Sequence, residues 1–201
     1  MAELTTYLAN KLLDHAAGRT SFTMPTVFIA LLKIRDMSNN LRSTAVSVGD
    51  FTIPATPNGR LYRCTTAGTT GAGEPTWATT DGGTTADGGT VVWTEHTPSL
   101  KSQTNIPESA YTGYARQALG TAGACLLGAA ASGSSSNTSA IPFPTKTAGT
   151  DENVAGWAMF DALTVGNMLE FGLNTSAPFV KLIANNDAPQ FAVSQLSRSA
   201  T

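Results

Sequence analysis

Apolar residues near the start of the chain recur at every fourth position: Leu4, Leu8 and Leu12, with Tyr7, Leu13 and Ala16 flanking that stripe. A four-residue recurrence lines one face of an α-helix. Gly18 supplies a C′ terminator, so the pattern predicts a short N-terminal helix of about three to four turns. The period then changes. Met24 to Leu32 is an apolar run opened by Pro25 and rich in β-branched and aromatic residues, which predicts a core strand. A helical reading stays open for Ala30 to Lys33, because a short apolar run does not separate the two periods.

From about Ser43 to Pro98 the character shifts. This stretch holds two of the three Trp residues, two Asp-Gly-Gly-Thr repeats (Asp81 to Thr84 and Asp87 to Thr90) and many Gly, Thr and Pro. Strands are predicted at Phe51 to Ile53, Leu61 to Thr65 and Thr90 to Thr94, separated by Gly-bearing turns. The flanking segments are more like each other than like this middle. The division expected is therefore 1–42 with 99–201 as one domain and 43–98 as an inserted β module with adjacent ends. Beyond it, Gly113 to Leu119 alternates as a strand does, and Ser132 to Ser139 reads as a polar loop. Ile141 to Phe143, Val154 to Asp161, Asn167 to Leu173, Phe179 to Leu182 and Gln190 to Val193 follow as short strands bounded by turn residues. That spacing predicts a mainly β protein, a jelly-roll-like β-sandwich with an N-terminal helix, with Trp157, Met159 and Phe160 in its core.

Composition narrows the function classes. Charged residues make up 13% of the chain, about half the usual share of roughly 25%, while Thr, Ser, Ala and Gly abound. Such a surface suits packing between subunits. Twelve cationic and fourteen anionic residues, with the basic ones scattered singly, speak against nucleic acid as a partner. Cys64 and Cys125 read as free and reduced, as in a protein made in a bacterial cytoplasm. Glu3 and the broken apolar pattern around it do not form a secretory signal. The Ala- and Gly-rich stretch Ala118 to Ala131 is too short to span a bilayer. The Asn137 and Asn174 sequons carry meaning only in a glycosylating compartment.

Several blocks together resemble a phage protein family usually labelled tail-fibre-like. They are Thr6 to His15, Met24 to Leu31, Gly113-Tyr114-Ala115-Arg116-Gln117, Ser136-Asn137-Thr138, Gly156 to Asp161, Asn167-Met168-Leu169 and Phe171-Gly172. The resemblance covers the chain outside the insert and implies a small virion protein without known chemistry. Within the insert, Leu61 to Gly71, Glu74-Pro75-Thr76-Trp77, Asp87-Gly88 and Val92-Trp93 resemble a small β module of phage fibres and decoration proteins, similar to chitin-binding-type carbohydrate-binding domains.

Candidate chemistry is sparse. Tyr62, Trp77 and Trp93 could form a glycan-stacking platform; the competing reading makes them core, because a module of about fifty residues has little else to bury. Asp81 and Asp87 could offer oxygens to a hard cation, but Asp-Gly is first a turn signal, and no metal or cofactor is expected. His15 and His96 lack the companions a zinc site needs. Arg116, alone in a neutral segment, could pair internally with Asp161 or serve as a subunit contact. No nucleophile elbow, P-loop or H-E-x-x-H occurs; carboxylates suffice for a glycosidase pair, whose separation sequence does not show. The expectation is a non-enzymatic structural protein on the exterior of a tailed-phage virion, without membrane insertion. It would be a homo-oligomer, a trimer, contacting major capsid or tail proteins. The short length favours a head decoration or cement protein; the alternative is a tail-fibre or baseplate component whose insert binds host-surface glycan.

Overall fold

A computed structural model describes residues 2–35, 41–120, 125–174 and 180–199. The chain runs through β1 (Ala2–Leu4), α1 (Thr6–Ala16), β2 (Phe28–Ile34), β3 (Ala45–Val46), β4 (Phe51–Thr52), β5 (Tyr62–Thr66), β6 (Gly68–Thr69), β7 (Thr84–Asp87) and β8 (Val91–Glu95). It continues through α2 (Thr97–Lys101), β9 (Gln117–Ala118), β10 (Ser134–Ser136), β11 (Ile141–Pro142), β12 (Glu152–Phe160), β13 (Met168–Leu173), β14 (Lys181–Ile183), β15 (Gln190–Phe191) and β16 (Ser197–Ser199). The protein is mainly β, as expected.

Among the described residues the largest sheet has six antiparallel strands in the order β1-β13-β12-β2-β9, with β14 continuing β13's place beside β12. Its centre is β12, whose last seven residues are all buried. A strand reads as a continuous apolar run when both faces are covered, and both faces are. On one, Ile29, Leu31, Trp157 and Met159 pack with Leu8 of α1 and with Tyr111, Ile141, Phe143 and Leu196. On the other, Leu32, Ala158, Phe160, Met168 and Phe171 pack with Ile53, Leu61 and Leu100. Trp157 lies directly opposite Gly172 in the ladder, and a Cβ on Gly172 would meet the indole ring 2.7–2.9 Å away. The missing side chain is where the Trp157 ring lies.

The helix begins later than the leucine stripe suggests. Thr5 is its N-cap, its hydroxyl accepting from Leu8 N at 3.3 Å while donating to the Met168 carbonyl at 2.6 Å. One side chain thus caps α1 and ties it to β13. Leu4 consequently belongs to β1, paired with Glu170, rather than to the helix. Ala30 to Leu32 are strand, which closes the helical alternative. Strand β2 starts at Phe28, where its partner Phe160 begins, rather than at Met24.

The middle of the chain forms a four-stranded sheet, β4-β5-β8-β7, and a β3–β6 ribbon. Its predicted strands are present, each displaced or shortened by about one residue, and β7 occupies the stretch between the two Asp-Gly turns. Its own cluster holds Leu41, Val46, Tyr62, Cys64, Val91 and Trp93. Ile53 and Leu61, however, belong to the cluster on the central sheet.

Two other expectations change. Of Gly113 to Leu119, only Gln117–Ala118 enters a ladder, because Gly113 turns at φ +99° and the chain then directs Tyr114 and Arg116 inward. The Ser132–Ser139 loop contains β10, which pairs with β16 after a turn through Ser132 and Gly133 at positive φ. Strand β14 is Lys181–Ile183; Phe179, placed in that strand from sequence, lies outside the described residues.

Candidate functional site

The module's aromatic residues come together, but as packing. Tyr62 and Trp77 ring centroids are 4.5 Å apart, and Trp77 and Trp93 are 6.2 Å apart. Tyr62 and Trp93 are both 0% exposed, so neither offers a face to a sugar ring in this conformation. The Tyr62 hydroxyl donates to the Ala78 carbonyl at 2.7 Å and accepts from Asn58 Nδ2 at 2.8 Å, and burial raises its pKa. Trp77 is only half-buried, its Nε1 donating to Glu74 Oε1 at 2.8 Å. The three-membered platform therefore reduces to Trp77, because a small module spends its aromatics on its own core.

Beneath this stack lies a carboxylate hub that the sequence reading missed. Asp87, 2% exposed, accepts from Arg42 Nη1 and Nη2 at 2.8 and 2.9 Å, from Gly71 N at 2.9 Å and from Trp93 Nε1 at 3.1 Å. A bidentate guanidinium and two further donors leave the buried charge well compensated. Arg42 Nη1 also donates to the Gly73 carbonyl at 2.6 Å. Gly88 turns beside the hub at φ +72°, where a Cβ would fall 2.6 Å from the Thr69 carbonyl oxygen; the turn accepts glycine for both reasons.

The two Asp-Gly repeats thus differ in role. Asp81 is exposed and pairs with Arg60 at 2.9 Å, which lowers its pKa. Glu95, its side chain wholly buried, accepts from Thr97 N at the start of α2 and from Gly82 N, both at 3.0 Å. Neither Asp81 nor Asp87 joins a cation cradle: among the described residues no three His, Cys, Asp or Glu side chains assemble as a metal set. The two Asp-Gly turns could have revealed the hub, since β7 alternation puts Thr85 and Asp87 on the inward face opposite Trp93 and Val91.

Arg116 pairs with Glu108 rather than with Asp161. Its Nε and Nη2 donate to the Glu108 carboxylate at 2.8 and 2.7 Å, and Nη1 donates to the Ala162 and Val165 carbonyls at 2.9 and 2.7 Å. Its guanidinium carbon sits 3.4 Å from the centre of the Phe160 ring. Asp161 is engaged locally, accepting from Asn167 N and Nδ2. Tyr114 completes the set: its hydroxyl donates to Glu108 at 3.1 Å and accepts from Leu31 N. Arg116, its side chain 8% exposed, fixes the β12–β13 hairpin from inside the subunit.

The two histidines are apart. His15 is exposed on α1, its Nδ1 accepting from Phe22 N. His96 is buried against Phe51, its Nε2 facing the Thr104 and Asn105 carbonyls at 3.0 and 3.2 Å. Two carbonyl acceptors require Nε2 to carry the proton, and desolvation pushes the His96 pKa down. Cys64 is buried and Cys125 exposed, both as free thiols. Among the described residues no helix is long and apolar enough to cross a membrane.

Comparison with known proteins gives one family. The family model described as podophage GP4 fiber I protein gp80 matches residues 90–199, from the turn before β8 through β16. No curated protein matches the chain.

Proposed function

The chain belongs to the podophage GP4 fiber I protein gp80 family, and we propose that it is a non-enzymatic structural component of a tailed-phage particle, located on the tail. The observation that carries this reading is the family match itself, which spans more than half of the chain and most of the central sheet. It favours the fibre assignment over the head-decoration role that chain length suggested. A structural role also fits the chemistry inside the subunit. The buried Asp87, Glu95, Lys146 and Glu170 are each held by hydrogen bonds or ion pairs to neighbouring groups. They read as braces for the fold.

In this reading residues 43–98 form an inserted module beside the assembly domain, 1–42 with 99–201. Host-surface glycan as its ligand rests on Trp77, the half-buried member of the aromatic stack. Loss of glycan binding in a folded Trp77→Ala protein would support that ligand, and unchanged binding would remove it. The location is tested by tracing this chain in a cryo-electron microscopy map of the intact particle. Density on the tail is the expected result; density only at three-fold positions of the head would overturn the assignment.

A further inference from the structure

Six large apolar side chains are left in water at one end of the central sheet. That end is where Phe28 of β2, Phe160 of β12 and Met168 of β13 meet in the ladder. Leu4 and then α1 with Leu12 and Leu13 lead away from it, Met24 approaches it, and the β12–β13 hairpin carries Leu163 and Val165 beyond it. Leu13 is 67% and Val165 86% exposed. Within α1 only Leu8 is buried, so the outer turns of the helix have no counterpart in the subunit. A helix that keeps its apolar side chains in water is ordinarily covered by a partner.

The hairpin adds a second, independent signal. Val165 sits at φ +58°, a conformation strongly disfavoured for a β-branched residue. Strain of this kind persists only where the surroundings enforce it. Here Arg116 holds the Ala162 and Val165 carbonyls, Asp161 holds Asn167, and Glu108 with Phe160 holds Arg116. An exposed apolar tip fixed in a costly conformation has the character of a preorganised anchor.

We infer that this end of the molecule binds a second copy of the chain, the Leu163–Val165 hairpin of one copy seating against α1 of the next. The local charges suit that head-to-side contact. Residues 161–167 contain one carboxylate and no cation, whereas α1 and the turn after it present Lys11, His15 and Arg19 against Asp14 alone. A net charge of −2 over 201 residues puts little repulsion between copies. Because the two surfaces differ, the contact is heterologous and builds a ring when its rotation closes.

The test is sedimentation equilibrium of the full chain and two variants. Val165→Gly removes the anchor and places at φ +58° the residue that adopts it freely, so the subunit's unfolding midpoint stays level or rises. Leu13→Ser alters only an exposed position. Wild-type protein is expected to self-associate, and each variant to do so about tenfold more weakly or worse, the scale set by one buried apolar side chain. Wild-type protein that is monomeric at every concentration, or either variant associating as wild type does, overturns the inference. A monomer that is nevertheless traced in the particle would sink this contact and leave the structural role standing. An oligomer absent from every particle would sink the role and keep the contact.

Discussion

Replacing Asp87 with Ala removes the acceptor for four hydrogen bonds at once. Deleting one partner of a buried ion pair destabilises by about 3–5 kcal/mol, largely because the other charge stays behind unpaired. Arg42 retains its bond to the Gly73 carbonyl, and its side chain is 14% exposed, which places the guanidinium's share near the lower end. The Trp93 indole and Gly71 N–H groups are left without their acceptor, each worth about 1–3 kcal/mol and not additive. The expected loss is about 3–4 kcal/mol, or roughly 6–15 °C in Tm for a domain of this size. Asp87→Asn keeps the shape but sets an amide N–H₂ against donors, and should lose about 2 kcal/mol. Urea unfolding followed by tryptophan fluorescence reads the module directly through Trp77 and Trp93. In the Asp87→Ala/Arg42→Met protein the stranded charge is gone, so the double variant should be more stable than Asp87→Ala alone. A loss under about 1 kcal/mol for Asp87→Ala, or a double variant less stable than the single, would refute the buried-pair argument.

Gly172→Ala pushes a methyl into the Trp157 ring; it should destabilise by about 1–3 kcal/mol in thermal unfolding, and by less when Trp157 is first replaced by Leu. His96 gives a pH signature. Its folded pKa lies below the ordinary 6.5, so the unfolded chain takes up the proton first, and the stability it contributes is full above that value. That contribution is lost as pH falls through 6.5 toward the folded pKa, and His96→Gln should flatten this part of a stability–pH curve measured by denaturant midpoint.

The long apolar runs made the central strands legible, since β2, β12 and β13 are buried on both faces and need no alternation to be seen. Strands β1 and β16 carry no such signature: Ala-Glu-Leu and Ser-Arg-Ser become strands only because β13 and β10 lie beside them. The same dependence on neighbours hid the charge pairs. Asp161 was the natural partner for Arg116 by sequence, but it is drawn to Asn167 across its own turn, leaving Glu108 for the arginine. A tryptophan in a short β module reads alike as core or as platform, and only burial separated Trp93 from Trp77.

The ladder also dictates an order of events on the ribosome. Ala2 pairs with Gly172 and Leu31 with Trp157, so β1 and β2 emerge long before their partners are translated. At about 5–20 residues per second, the intervening chain takes on the order of ten seconds to appear. Throughout that interval the apolar run from Phe28 to Ile34 has no ladder to join. The sheet therefore closes at the end of synthesis, with its oldest strands added last. A nascent chain stalled before β12 should be held by chaperones and remain protease-sensitive through β2.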